Sequence, residues 1–269
     1  MAYQLKRILG YLTGFILFYA PFAFFQRSVY YILYGEWISF TIHKLCFRVQ
    51  IASLLNGRIM HHEAVMVISF LVLLFISFIW GPIYCGKLCP TGALTEYLSK
   101  LIPEKVKVDW TKYIDAIPVR YGVLTGFIIL PLFKIIVACA YCNFYVFDLL
   151  INFYLRGYIV SLTSGLILTL LLWLVVLGVF TKGGRGYCNF LCPVGAFQNF
   201  IYYVGRKFSV SYKLKAQDDK CVGCGKCVNN CPMRAINFID GKAKVNLHNC
   251  ILCGECMACC PIKAIKYVR

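Results

Sequence analysis

The chain has 269 residues, of which 60% are hydrophobic and 14% charged, with a formal net charge of +17. That balance lies well off the averages of soluble domains and predicts membrane segments, since about 20 apolar residues cross a hydrocarbon core. The basic excess does not point to nucleic acid, because no stripe of base-stacking aromatics accompanies it.

The first apolar run extends from about Ile8 to Phe25. Lys6 and Arg7 precede it as in a signal peptide, but Ala20-Pro21-Phe22-Ala23 is a poor cleavage site, so a retained helix is expected. The loop from Gln26 to His62 is rich in Tyr30, Tyr31, Tyr34, Trp37 and Phe40, which predicts an interfacial helix or a re-entrant segment. It also carries Glu36, His43 and Cys46, and closes on His61-His62-Glu63. Those three titratable groups are the candidate site for quinol oxidation, which releases protons; a solvated or lipid-facing pair and haem ligation by His43, His61 or His62 are the alternatives.

Further runs cover Ala64 to Ile83, Tyr121 to Ala140 and Tyr158 to Phe180. Four crossings place both termini on one side. Twelve Lys and Arg flank the helix ends there (Lys6, Arg7, Lys87, Lys100, Lys105, Lys107, Lys112, Arg120, Lys182, Arg185, Arg206 and Lys207), against five in the opposite loops. This bias predicts a bacterial inner-membrane protein with both termini cytoplasmic, its basic residues against anionic lipid. Cys139 and Cys142, at the outer end of the third run, are open to a disulfide, a metal or a structural role, as is Cys46; Asp148 falls in the next loop.

The apolar part repeats itself. Tyr84-Cys85-Gly86-Lys87-Leu88-Cys89-Pro90-Thr91-Gly92-Ala93-Leu94 aligns with Tyr187-Cys188-Asn189-Phe190-Leu191-Cys192-Pro193-Val194-Gly195-Ala196-Phe197, and Leu12-Thr13-Gly14-Phe15-Ile16 with Leu124-Thr125-Gly126-Phe127-Ile128. Two parallel two-helix units are expected, with the C-x3-C-P motifs meeting near their axis. Each proline would restart a helix at its first turn, leaving free N–H groups to face an anion. Cys85, Cys89, Cys188 and Cys192 are therefore a candidate third thiolate site, for an iron–sulfur cluster or another soft metal, the alternative being plain packing or disulfides.

The last 62 residues, 208–269, differ in kind from residues 1–207. They contain Cys221-Cys224-Cys227-Cys231-Pro232 and Cys250-Cys253-Cys256-Cys260-Pro261, both reading C-x2-C-x2-C-x3-C-P. In that spacing the fourth cysteine ligates the other cluster. Cys221, Cys224, Cys227 and Cys260 are expected to hold one [4Fe-4S] cluster, and Cys231, Cys250, Cys253 and Cys256 the other. Zinc would favour paired cysteines, and Cys259 reads as a packing residue. The predicted architecture is a four-helix transmembrane bundle (1–207) followed by a small cytoplasmic α+β dicluster ferredoxin domain (208–269).

No phosphate loop, nucleotide fingerprint or nucleophile elbow is present, so the predicted activity is movement of single electrons, with quinone as the natural lipid-phase partner. An outer quinol site would lie about 30 Å of hydrocarbon from the clusters, requiring a relay or a site on the cytoplasmic side.

Four apolar runs, C-x3-C-P after the second and fourth, and a C-terminal dicluster ferredoxin together resemble the NapH/MauN family, the membrane component of quinol dehydrogenases. The resemblance implies a quinol-oxidising electron-transfer subunit in a multisubunit membrane complex, beside a NapG-like iron–sulfur protein or a multihaem cytochrome. The related CcoG-type assembly factors supply the alternative, in which Cys85, Cys89, Cys188 and Cys192 reduce or pass copper, a soft ion that accepts thiolates.

Overall fold

The computed structural model describes residues 2–19, 21–37, 61–133, 136–156, 163–208 and 211–268. His43 and Cys46 lie outside them. Helix α1 spans Ala2–Phe18 and stops just before Pro21, whose ring cannot continue a helix. Ala23 turns the chain in the left-handed region (φ 45°) into α2, Phe24–Tyr34, which ends on left-handed Gly35. Helix α3, His61–Trp80, leads through a π-turn at Tyr84–Leu88 into α4, Pro90–Ser99.

The second half repeats this plan with changes. Helix α5, Ala116–Ile129, starts where the Asp115 carboxylate accepts a hydrogen bond from the Ile117 N–H. It gives way to a 3-10 turn, Leu130–Phe133, at Pro131, which has no N–H to donate. After α6 (Asn143–Arg156) and α7 (Ser164–Leu170), a π-helical segment, Leu171–Val179, leads to α8 (Gly186–Phe190) and α9 (Pro193–Gly205).

These breaks overturn the expected four-span bundle. Among the described residues no helix is long and apolar enough to cross a membrane. The first run is cut near Pro21 into two helices, the third stops at Pro131 after 14 helical residues, and the fourth changes from a seven-residue α-helix to π geometry. The second is 20 residues long but opens on His61, His62 and Glu63. The expected multi-pass inner-membrane placement, with cytoplasmic termini against anionic lipid, falls with the bundle. The supposed outer loops are not loops either: the first opens with α2, and the one holding Asp148 is helix α6, which buries Phe144, Val146 and Asp148.

The helical core closes around Tyr19, Trp173 and Tyr202, all fully buried. Phe147 packs edge-on against both Trp173 and Tyr19. Leu5, Leu9, Leu12 and Ile16 on α1, with Leu71, Val72 and Phe75 on α3, stay exposed, an apolar face that covers no core of its own.

In the C-terminal part, β1 (Lys213–Ala216) pairs antiparallel with β4 (Ile265–Val268), and β2 (Ile236–Ile239) with β3 (Lys242–Val245). The β2–β3 hairpin turns at Asp240-Gly241, both with positive φ, as a two-residue turn of matching twist demands. Helices α10 (Lys226–Asn229) and α11 (Glu255–Ala258) each follow a left-handed glycine, Gly225 and Gly254, so this part is itself an internal repeat.

The two parts dock through backbone. A Cβ on Gly86 would lie 2.1 Å from Ile251 O, and one on Gly183 would lie 2.5 Å from Pro232 O. Tyr202 donates its hydroxyl to Tyr212 O at 2.6 Å, and the Tyr212 N–H reaches Ile79 O at 3.0 Å. Gly86→Ala should therefore lower the unfolding temperature and raise hydrogen exchange around residues 251–253. Gly122→Ala, on α5 with nothing within 4 Å of the added Cβ, should be neutral or stabilising by up to about 1 kcal/mol, as for glycine in helices generally.

Candidate iron–sulfur site

Two cavities lie in the C-terminal part, and each is lined by four thiols. One is bounded by Cys221, Cys224, Cys227 and Cys260 among apolar neighbours such as Phe238 and Ile262. The other is bounded by Cys231, Cys250, Cys253 and Cys256. In each, the fourth cysteine of one run joins three of the other. Arg234, Lys263 and Leu252, all with positive φ, turn the chain so that backbone N–H groups aim at sulfur. Ala235 N–H donates to Cys231 Sγ at 3.3 Å and Ala264 N–H to Cys260 Sγ at 3.3 Å, a matched pair four residues after each fourth cysteine. Leu252 N–H donates to Cys250 Sγ at 3.4 Å.

The Cys221 thiol is held below its usual range by backbone N–H donors from Ala243 and Gly223, whereas burial pushes Cys231 up to about 12. A thiol of that kind ionises only when a bound cation replaces the lost water. The all-sulfur donor sets and their apolar walls thus fit iron–sulfur clusters, whose sulfurs accept such N–H bonds.

A second set of thiols stands where the repeated halves meet. Cys85, Cys89 and Cys192 are buried and Cys188 nearly so. Cys89 caps α4 with Pro90 in the first turn, its Sγ accepting from Gly92 N–H at 3.4 Å; Cys192 caps α9 with Pro193 in the first turn, its Sγ accepting from Gly195 N–H at 3.4 Å. The extended backbone at Cys89 (ψ 103°) and Cys192 (ψ 108°) separates each C-x3-C pair, so neither pair rides on one continuous helix. Burial raises all four thiols, Cys89 to about 11, and Cys85, Cys89 and Cys192 are raised further by other thiols of the group. Cys85 Sγ also donates to Gln198 Oε1 at 3.5 Å.

Between this set and the second cavity lies a buried charge network that sequence reasoning missed. Glu96, 2% exposed, accepts from Arg7 Nη1 and Nη2 at 2.8 and 3.0 Å and from Arg185 Nε at 2.6 Å. Arg185 Nη1 donates to Cys85 O at 2.7 Å, and Arg7 also pairs with Glu255, next to Cys256. Tyr11 accepts from both arginines and donates to Gly86 O at 2.9 Å. The available signal was a carboxylate in an otherwise uncharged helix, since a buried acid is almost always paired.

The remaining predicted residues are not brought to these sites. His61, His62 and Glu63 form the first turn of α3, and their side chains are outside the described part, as is all of Cys46. Cys142 does not sit at a remote end. It is buried within electrostatic reach of Cys192 and Tyr187, while Cys139 accepts its backbone N–H. Cys259 is half-buried beside Cys260 and donates to Cys256 O.

Thiol-lined cavities on a scaffold of two small antiparallel sheets define an iron–sulfur protein of ferredoxin type, and comparison with known families agrees. A family described as a 4Fe-4S binding domain matches residues 64–109 and again 166–211, and a 4Fe-4S dicluster domain matches residues 213–262. These matches make the chain similar to 4Fe-4S ferredoxin-type proteins, among them proteins named MauN.

The methylamine utilization ferredoxin-type protein MauN of Methylorubrum extorquens is 27% identical over 68% of this chain and 58% of its own length. MauN of Paracoccus denitrificans is 29% identical over 61% of this chain and 53% of its own. YccM of Escherichia coli, which carries a provisional name as an electron transport protein, is 23% identical over 68% and 50% respectively. The chain thus spans little more than half the length of these relatives. No solved structure matches.

Replacing Glu96 by Gln should destabilise the protein by about 3–5 kcal/mol in chemical denaturation, the cost of leaving two buried cations short of a partner. Its pairing with Arg185 and Arg7 holds the Glu96 carboxyl below its ordinary value despite burial. Its stabilisation is therefore full above the unfolded carboxyl value and lost as pH falls through the lower, folded one. Glu96→Gln should flatten that acid limb.

Proposed function

We propose that this chain is an electron-transfer subunit with three thiol-bound centres in contact. Two would be [4Fe-4S] clusters, one held by Cys221, Cys224, Cys227 and Cys260 and one by Cys231, Cys250, Cys253 and Cys256. The third would be held by Cys85, Cys89, Cys188 and Cys192. The observation that carries the reading is that the two cavities are each lined by four thiols exchanged between the runs. When bound, each cluster supplies one-electron redox capacity.

The chain's own residues hold the centres close and dry. Gly86 allows the Cys85 loop to touch Cys253, where an added Cβ would lie 2.9 Å from its backbone N, and Asn199 Nδ2 donates to Cys250 O at 3.0 Å. Backbone contacts of this kind support passage between the four-thiol set and the second cavity.

The far partner is read as a quinone/quinol couple or a second redox subunit, such as the NapG-like iron–sulfur protein or multihaem cytochrome of related systems. The exposed apolar faces of α1 and α3 suit a further subunit. A copper-handling role is the second reading.

Anaerobically purified protein should hold more than the eight iron atoms of two [4Fe-4S] clusters, with the excess lost in a Cys89→Ala, Cys192→Ala double variant; iron at eight in both would remove the third centre. Cys224→Ala or Cys253→Ala should abolish one reduced-cluster paramagnetic resonance signal and perturb the other, and two undisturbed signals would defeat the crossed ligand sets. Quinol-driven bleaching of cluster absorbance supports the quinone partner, whereas stoichiometric copper without bleaching supports the second reading.

A further inference from the structure

Arg120 and Arg185 approach the four thiols in matching ways. Gly92 lies three residues after Cys89, and a Cβ there would fall 2.8 Å from Arg185 Nη1 and 3.4 Å from Cys188 Sγ. Gly195 lies three residues after Cys192, and a Cβ there would fall 3.0 Å from Arg120 Nη2 and 3.7 Å from Cys192 Sγ. Each repeat thus removes a side chain to let a guanidinium in.

The matching stops at the acids. Seven residues after Cys89 stands Glu96, which neutralises Arg185. Seven residues after Cys192 stands Asn199, whose Oδ1 accepts from Arg120 Nη2 at 3.0 Å but carries no charge. Arg120 is 1% exposed, and its Nε and Nη1 have no hydrogen-bond partner. A buried guanidinium without an anion is costly, and the groups of opposite potential charge that face it are foremost Cys192 and Cys85, then Tyr121 and Cys188. Glu96 is already shared by Arg7 and Arg185, and Glu255 pairs with Arg7, so one positive charge, that of Arg120, is left over beside the thiols.

We propose that Arg120 is the built-in counter-charge of an anionic cluster held by Cys85, Cys89, Cys188 and Cys192, and that the replacement of a second Glu by Asn199 raises that cluster's reduction potential. This rests on the third centre proposed above. A four-thiolate cluster is anionic and gains one more negative charge for each electron accepted, so an unneutralised cation close by favours the reduced form. Asn199 also donates to Leu247 O and to Cys250 O, tying the same guanidinium to the second cavity by one neutral amide.

The test is a mediated redox titration of the full chain, reconstituted anaerobically with iron and sulfide and followed by paramagnetic resonance alongside iron analysis. Arg120→Met should shift the third midpoint to more negative potential with the iron count unchanged, and Arg120→Lys, which keeps the charge, should restore most of the shift. An unmoved third midpoint in Arg120→Met, with iron above eight, overturns the role of Arg120 while leaving the third centre standing. Iron at eight in the unaltered chain overturns the third centre itself and the inference with it. If Arg120→Met does not load the third cluster, loading by Arg120→Lys upholds the need for charge; failure of both, with the other two clusters intact, shows that shape rather than charge was required.

Discussion

A single carboxylate, Glu96, receives two guanidiniums at a point that water does not reach. Arg7 arrives from α1, Arg185 from the turn before α8, and Glu96 itself from α4, so three separate elements are held at one locus. Arg7 extends the network to Glu255 in the dicluster domain, and Arg185 extends it to the Cys85 carbonyl. In an interior of low dielectric none of these charges can be left over without a heavy penalty, and the geometry is therefore all or nothing. Both the four-thiol set and the docking of the C-terminal domain inherit their positions from it.

Duplication explains much of what surrounds that locus. Cys89 and Cys192 cap their helices identically, each followed by proline and then by a glycine that admits an arginine. Where the halves diverge, the divergence is electrostatic. Glu96 in one half and Asn199 in the other give the arginines different partners, so one half is neutral and bonded to α1 while the other keeps a charge and reaches the Cys250 carbonyl. The four-thiol set reaches the second cavity on two sides, through the Gly86 backbone and through the Asn199 side-chain amide, which donates to the Cys250 carbonyl.

The cysteine runs were legible because their chemistry is local: the spacing of Cys221 through Cys231 and Cys250 through Cys260 reflects which sulfurs can face a cube. The duplication was legible too, as a matter of residue identity. The apolar runs misled, because hydropathy averaged over a window does not register Pro21, Pro131 or the passage into π geometry at Leu171. Nor does it reveal that Asn143 to Arg156 folds back as a helix carrying Phe144 and Phe147 into the core. Arg7, Arg120 and Arg185 were counted as flanking charge when they are buried structural cations.

By itself the sequence determined the chemistry of this protein: soft thiolate donors in two cluster-type runs, and a repeated C-x3-C-P motif. Identity and spacing along the chain suffice for that, since ligand type and local reach are properties of a few neighbouring residues. Only the tertiary structure decided which charges are paired, that Gly86 and Asn199 join the thiol sets, and that Arg120 stands without an acid. Those outcomes depend on residues about 50 to 250 positions apart meeting where water is excluded, and there a single missing carboxylate changes the electrostatics in a way that no local pattern encodes.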